Sequence, residues 1–251
     1  TQFPTLTMGG ALLASVFTMG AILLVLRPVF EAVWSINSTR FTSIFQGTMR
    51  WNAFIALPLA DSLFGDEGLA LLAVAMVVMV PVLNALSILF LARYAGGARP
   101  SAAKIVQDVA KNPFIISISC AILINLSGIP LPEFAWTTLE IVGSAALPVG
   151  IVCVGASLDL SALRRPGPAL TSGTLLRLLG MPLIAAGFAL VFGVTGTAQA
   201  AMIIAASVPS AGSSYILAKQ MGGDAKLMAE ILTLQSILAI GTIPVVLYVL
   251  T

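Results

Sequence analysis

The side chains able to do chemistry in this 251-residue chain are few, and histidine is not among them. That removes Ser-His and Cys-His nucleophiles, HExxH zinc sites and histidine proton relays. Cys120 and Cys153 lie in apolar runs and read as small packing residues, with no disulfide and no metal. What remains is a set of prolines, hydroxyls, amides and isolated ions in apolar surroundings. Pro58 stands within RWNAFIALPLADSLFG, and Pro209 within AASVPSAGSSY beside Gly212 and three serines. Proline removes a backbone donor and clashes with the carbonyl four residues earlier. A helix broken in this way inside a membrane exposes N–H groups at the start of its second half. Those groups and the helix dipole favour an anion. Two opposed breaks at one depth therefore suit a carboxylate better than a cation or a sugar.

The elements that must hold these breaks follow from composition. Hydrophobic residues make up 59% of the chain and charged residues 9%, against about half and about a quarter in soluble domains. A net charge of +2 gives no footprint for nucleic acid. Apolar runs long enough for a ~30 Å hydrocarbon core recur throughout. They predict an all-α membrane protein with spans near 8–30, 42–64, 67–93, 111–129, 133–158, 168–194, 197–219 and 225–250. Alternating short strands, the mark of a membrane barrel, are not visible. Basic residues collect in alternate loops: Arg27 and Arg40; Arg93, Arg99, Lys104 and Lys111; Arg164 and Arg165; Lys219 and Lys226. The intervening turns hold Asp61, Asp66, Glu67 and Glu133 or are neutral. The positive-inside rule places the basic loops in the cytoplasm and both ends of the chain outside. The segment with Pro58 then runs outward and the one with Pro209 inward, the relation an inverted repeat requires. Paired interrupted spans of this kind point to the binding site of a secondary transporter. Within the loop at 94–111, AAKIVQDVAK reads as a short cytoplasmic helix.

Around the breaks, Asn52, Pro58, Pro209, Ser210, Ser213 and Ser214 are the candidate substrate contacts, with Tyr215 as a cavity lining. Asn52 can donate to a carboxylate, and the serines can donate or accept; close helix packing is the plainer role for the serines. Ionisable residues inside a span are functional candidates by default. Arg50 lies about two turns before Pro58, placed to neutralise a second carboxylate of a dicarboxylate or to snorkel toward the cytoplasm. Arg177 and Glu140 lie ~13 Å and ~10 Å from opposite ends of their spans, which brings them to similar depth and predicts an ion pair, structural or coupled to transport. Asn84 and Gln235 follow the two breaks and are placed to hydrogen-bond the broken backbone or the substrate.

These blocks are similar to those of the auxin efflux carrier family. RWNAFIALPL followed by FGDEGLAL, KNPFIISISCAILINLSGIPLP, SAALPVGIVCVGASLDL and VPSAGSSYILAKQMGGD occur in that family's order. The resemblance covers about residues 8–251. It implies a bacterial organic-anion permease, of the malonate type, built from two inverted five-helix repeats with two broken helices that cross. Eight of ten expected spans are present, so the chain reads as lacking the family's first two helices. Residues 1–94 are then a partial first repeat of three helices, 95–110 a cytoplasmic linker, and 111–251 the second repeat of five. The sequence departs from the family pattern where Ala53 follows Asn52 and Ala56 precedes Leu57.

The reading that results is a carrier of malonate or a similar small carboxylate in the bacterial inner membrane, not an enzyme. It has no cofactor, and a homodimer is its only foreseen protein partner. Coupling to a proton (through Glu140 or Glu230), to sodium, or to membrane potential alone is left open. The alternatives are a sodium-coupled carrier of the bile-acid symporter type and a transport-inactive fragment. An intramembrane enzyme is disfavoured, because no histidine activates GSSY and Asp61, Asp108, Asp159 and Asp224 fall at ends or loops.

Overall fold

A computed structural model describes residues 4–96, 101, 103, 107, 110, 111, 113–128, 132–156 and 166–251. The expected helix within 94–111 falls largely outside these residues, as does the loop carrying Arg164 and Arg165. Among the described residues the chain is helical and contains no strand. In chain order the helices are α1 (Pro4–Trp34), α2 (Ser38–Met49), α3 (Ala53–Tyr94), α4 (Pro113–Ser127), α5 (Glu133–Ala156), α6 (Pro168–Leu175), α7 (Met181–Phe192), α8 (Gly196–Ser207), α9 (Ser213–Met221) and α10 (Ala225–Leu250). A π-helical turn, Leu176–Gly180, joins α6 to α7 without a break.

Caps written in the sequence fix the starts. Asn37 accepts the Arg40 N–H before α2, Asn52 accepts the Phe54 N–H before α3, and Asp224 accepts the Leu227 N–H before α10. Each satisfies a donor that a helix start otherwise leaves without a partner. α3 is two limbs joined at Gly65, whose φ of 56° and ψ of −144° are open to glycine and strained for other residues. The chain folds back so tightly there that a Cβ on Gly68 would lie 2.6 Å from the Ala60 carbonyl oxygen.

Four stretches are long and apolar enough to cross a bilayer: 6–34, 38–94, 168–192 and 225–250. They mark an integral membrane protein. Of the other helices, α8 and α9 are the two pieces of the interrupted helix at 196–221, α4 has 15 residues and α5 has 24. The core is shared by α1, α2, α3, α6, α7, α8 and α10. α4 and α5 pack chiefly on α3. Their side chains are largely exposed, Cys120 among them, so that cysteine does not serve the packing role its apolar run suggested.

The ends of the helices are tied in two groups. At the basic end, Arg40 lies 3.9 Å from Asp224, and Ser43 donates to the Asp224 carbonyl. At the other end, Gln199 at the start of α8 donates to the Leu250 carbonyl at the end of α10. α2 and α9 thus share one end, and the two interrupted helices run antiparallel.

Candidate functional site

The first interruption lies at Arg50–Trp51–Asn52, where Arg50 and Asn52 have ψ of 152° and 100°. Pro58, the expected break point, is instead half-buried inside the first limb of α3. The helix restarts at Ala53 under the Asn52 cap, and Pro58 in its second turn removes a single intrahelical bond. The second interruption runs from Val208 to Gly212 and contains Pro209, as its sequence predicts.

The two interruptions meet backbone to backbone. The Asn52 N–H donates to the Pro209 carbonyl at 2.9 Å, and the Ser210 hydroxyl lies 3.3 Å from both the Gln46 carbonyl and the Ser214 hydroxyl. Gln235 joins three elements here. Its Oε1 accepts the Ser210 N–H at 2.8 Å, while Nε2 donates to the Gly47 carbonyl at 2.9 Å and to the Gly173 carbonyl at 3.1 Å. The approach needs glycine: a Cβ on Gly47 would lie 2.7 Å from Ile231 Cγ2, and one on Gly173 3.1 Å from Ile231 Cδ1.

Arg177 sits in the π turn and is fully buried. Single π turns inside α-helices are frequent at functional sites. Nε donates to the Val208 carbonyl at 2.7 Å, Nη2 to Ala205 at 2.6 Å and Nη1 to Thr48 at 3.3 Å. These carbonyls close α2 and α8, where helices leave acceptors without internal partners. Pro209 has no N–H to offer Ala205, four residues earlier. The Asn52 N–H, which would have reached Thr48, goes to Pro209 instead. The expected ion pair with Glu140 is not formed, since Glu140 is exposed on α5 while the guanidinium donates to three carbonyls in the core. Two ion pairs occur among the described residues, Arg27–Glu31 and Arg40–Asp224.

On the opposite side of the crossing, α3 and α9 begin. Arg50, half-buried, donates from Nη2 to the Ser213 hydroxyl at 2.8 Å, so it joins the starts of the two second halves. Of the candidates, the structure brings together Asn52, Pro209, Ser210, Ser213, Ser214, Arg50, Gln235 and Arg177. Pro58, Glu140 and Asn84 stand apart from this group, while Tyr215 is exposed in the first turn of α9 beside buried Ser214. Asn84 lies on the second limb of α3, ~9 Å beyond the level of the breaks by helix rise, and no hydrogen bond joins it to them.

One residue not foreseen stands out. Gln46 is fully buried, and among the described residues neither its Nε2 nor its Oε1 has a partner. It lies one helical turn before Arg50 on the same face of α2, and its own carbonyl is near Ser210. The signal was present: an amide within an expected span, four residues before a charge.

Opposed half-helices, with the carbonyl ends of one pair held by a buried guanidinium and the starts of the other pair joined by Arg50 and Ser213, fit a membrane transporter of the broken-helix type. Residues 97–247 match the family described as membrane transport protein, and the chain belongs to that family. The match takes in Arg177, Pro209, the serines and Gln235. The chain is also 27% identical over 193 residues to an uncharacterized transporter of Methanothermobacter thermautotrophicus. The alignment spans 77% of this chain and 62% of that relative's length.

Proposed function

We propose that the protein carries a small organic anion, malonate or a similar carboxylate, across the cytoplasmic membrane by alternating access. On this reading eight spans form parts of two inverted repeats, divided by the linker at 95–110, with both ends of the chain on the outer side. The observation that carries the reading is the meeting of two half-helix starts, with Arg50 held by Ser213 and the Gln46 amide left without a partner. Helix starts favour negative charge, and a guanidinium presents a planar fork that a carboxylate matches. A dicarboxylate would place one carboxylate on Arg50 and Ser213 and extend the other toward the Gln46 amide, Asn52 and Ser210.

The test is counterflow of labelled malonate by the reconstituted full-length protein, challenged with other mono- and dicarboxylates. Saturable exchange that is lost in Arg50→Ala and weakened in Ser213→Ala is expected. No exchange with any carboxylate, from folded protein, would overturn the reading.

A further inference from the structure

We propose that Arg177 is a tethered cation standing where a carrier of this architecture would hold a coupling cation, so that transport runs without sodium. The inference rests on the transporter reading but not on the identity of the solute. In carriers with broken helices, unwound carbonyls and half-helix C-terminal ends coordinate the driving cation. Here the carbonyls of Thr48, Ala205 and Val208 converge from two such ends, and all three accept from one guanidinium. Arg177 is fully buried, and no carboxylate lies within ion-pair distance of it among the described residues. An isolated buried charge is strongly disfavoured; the negative ends of α2 and α8 are what compensate this one. A sodium ion on the same oxygens would compete with a cation that cannot leave. Arg177 is therefore a positioning residue: it fixes both half-helices and sets the charge of the crossing without touching the solute.

Two measurements test this. The first needs no solute. Purified Arg177→Ala is unfolded thermally in detergent with and without millimolar methylguanidinium at constant ionic strength. The variant is expected to gain about 2 °C or more from methylguanidinium, and the native protein nothing. The second is counterflow in sodium, potassium and choline media. Equal native rates are expected, with loss in Arg177→Ala, restoration by methylguanidinium and partial retention in Arg177→Lys. Specific stabilisation of the native protein by sodium, or a fall in native exchange when sodium is removed, would overturn the proposal. So would an Arg177→Ala protein as stable and active as the native one. If that variant does not fold, the native cation dependence decides alone. If methylguanidinium stabilises the variant while no carboxylate exchanges, the anion reading fails and this one stands.

Discussion

Replacing Gln235 with leucine removes the side chain that joins α10 to both α2 and α6 and to the second interruption. Three hydrogen bonds are lost, to the Ser210 N–H and to the Gly47 and Gly173 carbonyls. Leucine is close in size, so little cavity is created. Hydrogen bonds between membrane helices average about 0.6 kcal/mol, which for three sets a floor of about 2 kcal/mol. Ser210 lies in non-helical backbone and is fully buried, so its N–H has no alternative partner. Such an orphaned donor costs about 1–3 kcal/mol. The total is about 3–5 kcal/mol. At about 2–4 °C per kcal/mol for a chain of this size, Gln235→Leu should unfold at least ~6 °C below the native protein in detergent. Gln235→Glu keeps the acceptor for Ser210 but loses both donations and adds a buried charge, so it should be at least as destabilised. A Gln235→Leu protein within about 1 °C of native would refute the claim that this amide holds the crossing together.

Other substitutions follow from the same geometry. Gln46→Leu should leave thermal stability unchanged or raise it, because an unpartnered buried amide is removed, while counterflow of dicarboxylates weakens more than that of monocarboxylates. Equal loss for both would deny Gln46 its place at the second carboxylate. Asn52→Ala removes the cap on Phe54 and should cost about 1 kcal/mol, read as a lower unfolding temperature; Asn52→Asp should retain most of the stability. Gly47→Ala should destabilise by about 1–3 kcal/mol through overpacking on Ile231. Ile231→Leu, which removes the β-branch at the point of contact, should restore part of the loss, and no restoration would show that the contact is relieved elsewhere.

The sequence announces the architecture more fully than the site. Hydropathy places the helical segments among the described residues closely, because length and apolarity are properties of the residues themselves. Pro209 marks its interruption correctly. Pro58 misleads because proline draws attention wherever it falls, whereas the interruption is set by the Asn52 cap and by a carbonyl from the other broken helix. Nothing local to RWNAFIALPL names that partner. Arg177 was legible as a deep charge, and a carboxylate was the natural mate to seek. Its real partners are backbone carbonyls, which have no signature of their own. One of them was nonetheless deducible, since Pro209 has no N–H for Ala205. Gln235 was legible as an amide beside a break. Asn84, its counterpart by position, lies too far along its limb.

The most direct test of the central claim, that an anion binds where α3 and α9 begin, is protection of a thiol at Ser213. In a background of Cys120→Ser and Cys153→Ser, Ser213→Cys is labelled with a membrane-permeant maleimide in proteoliposomes. The account predicts that malonate slows the labelling in a saturable manner, at the concentrations that half-saturate counterflow, and that uncharged solutes of the same size do not. A labelling rate unmoved by every carboxylate that the protein exchanges would contradict it and place the solute elsewhere.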